Sequence, residues 1–207
     1  MKRIFIVGTA RSGTTLIQSL INSHPKVFTF PETHFFSKLL SRKKYKRIIQ
    51  LVRQSDAQFV ANFIERNKYR DYVNSKINSG FWFTNQLIKR LIAILDEISR
   101  SKGYDIWVEK TPNHLYYMDK VESVLPESLF VHVVRNGIDN IASLYKASKD
   151  YPEAFKEKNL SECIDRYKKD FMISHKYIQH NNHYIIVYDD LVKSPEYQMD
   201  MLFEFIG

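Results

Sequence analysis

The feature that most constrains this chain is a short apolar run, Ile4-Phe5-Ile6-Val7, leading directly into Gly8-Thr9-Ala10-Arg11-Ser12-Gly13-Thr14-Thr15. From Leu16 to Ile21 the apolar residues take helical spacing, so the glycines fall between a β-strand and a helix N-terminus. A helix start offers unpaired N–H groups and the positive end of the macrodipole, which together attract an anion such as phosphate. Gly8 and Gly13 have the spacing of the GxxxxGK[ST] loop, but Thr14 stands where that loop needs lysine. The cation comes earlier, at Arg11, and two hydroxyls follow Gly13. Such a loop suits a terminal phosphate better than a magnesium-bound triphosphate; a tight structural turn is the alternative reading.

A second segment repeats the pattern. Leu129-Phe130-Val131-His132-Val133-Val134 reads as a buried strand, and Ile138, Ile141, Ala142 and Tyr145 after it have helical spacing. Arg135 is thereby placed at the carboxyl end of a strand, where open parallel sheets bind ligands. Ser143 lies two helical turns further on, and reaches the same ligand only if that ligand lies along the helix with a second phosphate. A surface salt bridge for Arg135 and a solvated position for Ser143 are the competing assignments.

With these blocks the chain resembles, over nearly all its length, the sulfotransferases that use 3'-phosphoadenosine 5'-phosphosulfate (PAPS). The resemblance implies the P-loop NTPase-like sulfotransferase fold, an α/β three-layer sandwich with a mostly parallel central sheet. It also implies that Gly8, Thr9, Ala10, Arg11, Ser12, Gly13, Thr14 and Thr15 hold the 5'-phosphosulfate, and that Arg135 and Ser143 hold the 3'-phosphate. Pro31-Glu32-Thr33-His34-Phe35-Phe36 is similar to the acidic block of carbohydrate and tyrosyl-protein type members, and Tyr188-Asp189-Asp190-Leu191 with Ser194-Pro195 is similar to the family's terminal strand-loop-helix. Many members have lysine at the position of Arg11; arginine keeps the charge with a planar fork and a different reach.

Sulfuryl transfer needs a base for the acceptor proton and positive charge near the leaving phosphate. Glu32 is the candidate base, carried to the ligand face by a second strand, Val27-Phe28-Thr29-Phe30. The alternative makes Glu32 a helix-start carboxylate, with Pro31 in the first turn of a helix through Phe36. His34 is a candidate proton relay on the resemblance, or a structural histidine. Asp105 to Glu109 reads as a strand that delivers Lys110, the candidate electrostatic catalyst beside Arg11, with Thr111 as cap and Pro112 opening a helix. Glu109 is expected to pair with Lys110 or Arg11, and Asn113 and His114 are weaker candidates for acceptor contacts. Asp189 and Asp190 are expected to orient loops, and the reaction calls for no metal.

The 207 residues, 44% of them hydrophobic, suit one α/β domain spanning 1–207. Between about 35 and 105, strand-helix alternation gives way to an expected helical lid and acceptor region. Leu39 to Phe63 is read as helical and carries the basic cluster Arg42, Lys43, Lys44, Lys46 and Arg47; Asn85 to Ser101 is a cleaner amphipathic helix. Phe81-Trp82-Phe83 suits either an adenine or acceptor pocket or ordinary core. Lys149 to Glu157 reads as a loop before a helix beginning near Leu160.

The net charge of +8 fits a bisphosphate cofactor, and no nucleic-acid reading module is evident. The single cysteine, Cys163, excludes an intrachain disulfide, and no histidine-cysteine spacing resembles a zinc site. With no apolar run of about 18 residues and a first strand starting near the N-terminus, a cytoplasmic protein is expected. The expected acceptor is a hydroxyl or amine on a small molecule, glycan or tyrosyl peptide, and the product of the donor is 3'-phosphoadenosine 5'-phosphate (PAP). A P-loop kinase and a noncatalytic adenosine-bisphosphate-binding module are the competing functions.

Overall fold

A computed structural model describes residues 1–40, 48–63 and 70–207, except for the side chains of 57, 60–63, 70 and 71. The basic cluster between 42 and 47 lies outside the described residues. The main sheet has five strands: β1 (Lys2–Gly8), β2 (Val27–Phe30), β5 (Ile106–Lys110), β6 (Leu129–Val134) and β7 (His183–Val187). They run in the order β2-β5-β1-β6-β7, and every neighbouring pair is parallel.

The central strand reads as continuously apolar because both its faces are covered. Ile4, Phe5, Ile6 and Val7 are all buried. Alternation along the strand sends Phe5 and Val7 into one core cluster, shared with α5 (Thr84–Ser101), and Ile4 and Ile6 into another, shared with α1 (Thr14–Asn22) and α11 (Pro195–Ile206). Helices on both faces of a parallel sheet give the three-layer α/β architecture. The amphipathic stripe of α5 is buried as its spacing predicts, at Leu87, Ile88, Leu91, Ile92, Leu95 and Ile98.

Because the strands are parallel, Gly8, Phe30, Lys110, Val134 and Val187 all end at one edge of the sheet. β1 has β5 on one side and β6 on the other, so the loop after Gly8 sits at the point where successive connections diverge. That is where open α/β sheets form their ligand crevice.

The segment from Leu39 to Phe63 is not one helical region. It contains the end of α2 (Phe35–Leu39), then β3 (Ile49–Val52) and α3 (Gln54–Phe63), followed by α4 (Arg70–Lys76) and β4 (Gly80–Phe83). β3 and β4 pair antiparallel, Ile49 with Phe83 and Leu51 with Phe81. Those four residues form an exposed apolar face, with Phe81 80% exposed, whereas Gln50 and Val52 point inward. Phe81 and Phe83 therefore belong neither to a ligand pocket nor to the core. Trp82, on the other face, packs against the core and donates Nε1–H to the Asn78 carbonyl at 2.9 Å.

At the C-terminal end, a short helix α10 (Tyr188–Lys193) intervenes before α11, and Ser194 precedes Pro195 without a side-chain cap. Among the described residues, no helix is long and apolar enough to cross a membrane.

Candidate active site

The loop from Gly8 to Gly13 is held in a shape that its glycines permit. Gly8 has φ +150°, and a Cβ there would lie 2.5 Å from the Val133 carbonyl oxygen of the neighbouring strand. Gly13, the residue before α1, has φ +98°, and a Cβ would fall 2.2 Å from Cδ2 of Tyr188. Arg11 adopts φ 70°, a conformation costing a non-glycine residue on the order of 1–3 kcal/mol. The turn closes through Ser12 N–H to the Thr9 carbonyl, and Asn140 Nδ2 donates to the Ala10 carbonyl at 3.3 Å. Helical bonding begins with Ile17 N–H to Gly13 O, leaving the N–H groups of the first turn for a ligand. Ser12 Oγ is buried with no hydrogen-bond partner among the described residues.

The second segment closes onto the first. Asn136 caps α7 (Gly137–Asp150) by accepting from the Ile138 and Asp139 N–H groups, and its own N–H donates to Asp189 Oδ2 at 2.7 Å. Asp189 thus orients this loop, as expected. Arg135 Nη1 donates to the Arg11 carbonyl at 3.4 Å, its guanidinium lies 4.9 Å from the Tyr188 ring centre, and its Nε is buried without a hydrogen-bond partner among the described residues. Arg11 Nε in turn donates to Ser143 Oγ at 3.3 Å. Two segments more than a hundred residues apart thereby share one wall of a cavity of about 540 Å³, lined by Ala10, Arg11, Gly13, Thr14, Thr15, Arg135 and Ser143. That volume is of ligand size.

Glu32 and His34 also line this cavity. Lys110, the last residue of β5, forms an ion pair with Glu32 and lies 3.4 Å from Thr15 Oγ1. His34 Nε2 lies 3.3 Å from Glu32 Oε2. Burial pushes the His34 imidazole below its ordinary pKa against the pull of the Glu32 carboxylate, which favours a neutral ring near pH 7. Glu32 is not in a helix: α2 begins at Phe35 with no acidic residue in its first turn, and His34 precedes it at φ 53°. The helix-start reading of Glu32 therefore fails.

Behind this wall lies a buried network that departs from the expected pairing of Glu109. Glu109 Oε1 accepts from Thr33 N–H at 3.1 Å, Thr33 Oγ1 at 2.7 Å and Thr111 Oγ1 at 2.5 Å, while Oε2 lies 2.9 Å from His114 Nδ1. Burial alone would raise the Glu109 carboxyl; His114 and the two threonines outweigh it and hold the group below the usual range. Thr111 Oγ1 also accepts from His34 N–H, so it serves this network instead of capping the 3₁₀ turn Pro112–Tyr117. His114, buried with its Nε2 accepting from Phe36 N–H, makes no acceptor-side surface.

Asn113 does line the cavity, and its Oδ1 accepts from Arg166. Arg166, Lys158 and Phe155 also line the cavity, none of them singled out by sequence patterning, as does Tyr188, the first residue of the block before Ser194-Pro195. Phe155 ends α8 (Pro152–Phe155), a helical turn within the segment read as a loop, and Arg166 belongs to α9 (Leu160–Lys176). The described residues from 35 to 105 contribute none of this lining, although Phe59 of α3 contacts the His34 ring at 6.4 Å.

Comparison with known proteins places this geometry. The model of the Sulfotransferase family matches residues 3–207, and the chain belongs to that family. An uncharacterized protein of Aquifex aeolicus (strain VF5) is 23% identical over 212 residues; the match takes in 98% of this chain and only 25% of that protein. The sulfotransferase domain from the curacin biosynthetic pathway superposes with a TM-score of 0.68 at 18% identity, covering 99% of this chain and 73% of that one. A mouse sulfotransferase complexed with PAP shares the fold, with a TM-score of 0.56 at 11% identity over 100% of this chain and 59% of its own.

Proposed function

We propose that this chain transfers the sulfuryl group of PAPS to an acceptor hydroxyl, with residues 1–207 acting as one sulfotransferase domain. The observation that carries the reading is the convergence of the Arg11–Ser143 and Arg135–Arg11 contacts on one cavity, which Glu32 also lines with Lys110 paired to it. The buried, unpartnered Ser12 Oγ and Arg135 Nε fit an anionic ligand, because an orphaned buried donor is costly unless a ligand satisfies it. When bound, PAPS supplies the sulfuryl group and the phosphate that leaves.

The chain's residues divide the remaining work. Gly8 to Thr15 present backbone N–H groups, the Arg11 guanidinium and the Ser12, Thr14 and Thr15 hydroxyls to the 5' side, while Arg135 and Ser143 hold the 3'-phosphate. Lys110, beside Thr15 Oγ1, stabilises negative charge on the leaving oxygen. Glu32 Oε2 accepts the acceptor's proton, and the neutral His34 imidazole beside it can pass that proton on. Asn113, Arg166 and Phe155 frame the acceptor side, and the Phe59–His34 contact brings the region from about 35 to 105 to its margin. Asn113, Lys158 and Arg166 in the lining offer hydrogen bonds to a hydroxylated small molecule or glycan. The free cysteine, Cys163, fits a reducing compartment and hence a cytoplasmic reaction.

The test follows radiolabelled sulfuryl transfer from PAPS to a panel of hydroxylated acceptors. Transfer that is lost in Glu32→Gln while PAP binding persists supports the reading. Failure of PAPS and PAP to bind contradicts it.

A further inference from the structure

The end of the sheet opposite the cavity holds a second cluster of chemically capable side chains. His183 opens β7, Tyr188 follows its other end and lines the cavity, and the five residue steps from one to the other span about 16 Å at roughly 3.3 Å per step. The His183 ring is sandwiched between Phe130, 4.6 Å away and tilted by 15°, and Tyr177, 4.2 Å away and tilted by 14°. Its Nδ1 lies 2.8 Å from His132 Nε2. Stacking and this hydrogen bond fix the ring and leave its other nitrogen, Nε2, buried with no hydrogen-bond partner among the described residues.

That nitrogen faces the end of α6 (Met118–Glu122). Glu122 Oε1 is 3.7 Å from His183 Nε2 and 4.0 Å from His180 Nδ1, and one ligand atom from each residue lies within 4.8 Å of the other two. His180 is held at this corner by the turn in which His183 N–H donates to the His180 carbonyl at 3.0 Å. Asn182 Nδ2 donates to the same Glu122 oxygen at 3.0 Å and orients the carboxylate.

We infer that Glu122, His180 and His183 bind one divalent cation of the zinc type at this corner, separate from the sulfuryl-transfer cavity. Two imidazole nitrogens and one carboxylate oxygen are a donor set for zinc, with a fourth, solvent-facing position for water beside the exposed His180. Ligand atoms in a tetrahedral zinc site are about 3.4 Å apart, given bonds of about 2.0–2.1 Å. The Glu122 oxygen stands about 0.3 Å further than this from His183 and about 0.6 Å further from His180, and the two imidazole nitrogens lie within 4.8 Å of each other, so binding would draw the exposed His180 ring inward. His132 supplies the outer hydrogen bond that fixes the tautomer of a metal-bound histidine, and a cation would satisfy the orphaned Nε2. Bound there, the ion would tie the end of α6 to the turn before β7, a structural task that leaves sulfuryl transfer unchanged.

The test uses the untagged chain, stripped with a chelator and titrated with Zn²⁺, Co²⁺ or Mg²⁺ by equilibrium dialysis and calorimetry. The site predicts one Zn²⁺ per chain, a tetrahedral-type visible spectrum with Co²⁺ that Zn²⁺ displaces, and no comparable binding of Mg²⁺. His180 touches the Tyr177 and His183 rings only by its edge, and its side chain and that of Glu122 are 44% and 27% exposed, so His180→Ala and Glu122→Gln should fold and bind PAP as the parent does. Neither should bind Zn²⁺ stoichiometrically or show the rise in thermal midpoint that Zn²⁺ gives the parent. No stoichiometric binding by the parent, equal binding of Mg²⁺, or retention of Zn²⁺ by both variants would overturn the assignment. These outcomes are independent of whether the cavity binds PAP.

Discussion

Lys110 and Glu32 form an ion pair that joins the last residue of β5 to the loop after β2, with the ammonium 5% and the carboxylate 36% exposed. Glu32 lines the cavity, and Lys110 is buried next to it beside Thr15 of the anion-binding loop, so the pair sets both the base and the charge at the proposed transfer point. Glu32→Gln keeps the volume and removes the proton acceptor. Its turnover should fall by roughly 10²-fold or more while PAP affinity stays near that of the parent. Lys110→Ala should lower turnover by about 10²–10³-fold, as loss of a preorganised donor does. Steady-state rates and calorimetry on the same preparations separate the two effects, and normal turnover in Glu32→Gln would remove it as the base.

The network around Glu109 is expected to position the loop that carries Glu32 and His34. Glu109→Ala leaves the Thr33 and Thr111 hydroxyls and His114 Nδ1 without their common acceptor, at a cost of about 1–3 kcal/mol for each buried group left unsatisfied. Chemical denaturation measures it.

The same carboxylate sets an acid limit on stability. Its folded-state pKa lies below the ordinary value of 4.5, so its contribution is complete above that pH and is lost as pH falls toward the folded value. Thermal midpoints recorded from neutral to acid pH should fall more steeply in the parent than in Glu109→Gln below about pH 4.5. Parallel curves would contradict the assignment.

Gly13 and Gly103 both have positive φ, but only Gly13 faces an obstacle, the Tyr188 ring. Alanine at either position carries backbone strain of about 1–3 kcal/mol. Gly13→Ala must also displace Tyr188 from the Arg135 guanidinium, so it alone should lose PAP affinity, by about 10-fold or more for each 1.4 kcal/mol of lost contact. Comparable affinities for the two variants would show that the crowding is unimportant.

Ser143 touches Arg11 through a single hydrogen bond. Ser143→Ala should therefore weaken PAP binding modestly, by about 3–10-fold, the range of one such bond. An unchanged affinity would place Ser143 outside the 3'-phosphate contacts.

Much of this arrangement was legible because buried parallel strands announce themselves as unbroken apolar runs. β1, β2 and β6 coincide with such runs, Arg11 and Arg135 fall just beyond strand ends, and Lys110 is the last residue of its strand. β3 and β4 escaped because their pairing partners are thirty residues apart and their outward residues, Ile49, Leu51, Phe81 and Phe83, are apolar where solvent-facing residues are usually polar. The pairing of Glu109 was open to inference. Successive strand residues point to opposite faces, so Glu109 and Lys110 could not share a side. The Arg11–Ser143 contact depends on the left-handed backbone of Arg11, and the places of Arg166 and Phe155 depend on how α8 and α9 pack; spacing along the chain encodes neither. The cluster of Glu122, His180 and His183 is likewise assembled by the sheet, from residues sixty positions apart.

The most direct measurement is calorimetric titration of the parent chain and an Arg135→Ala variant with PAP, and with ATP plus magnesium. The account predicts magnesium-independent PAP binding that the variant loses and no preference for ATP. Preference for magnesium-ATP, or PAP binding indifferent to Arg135, would contradict it.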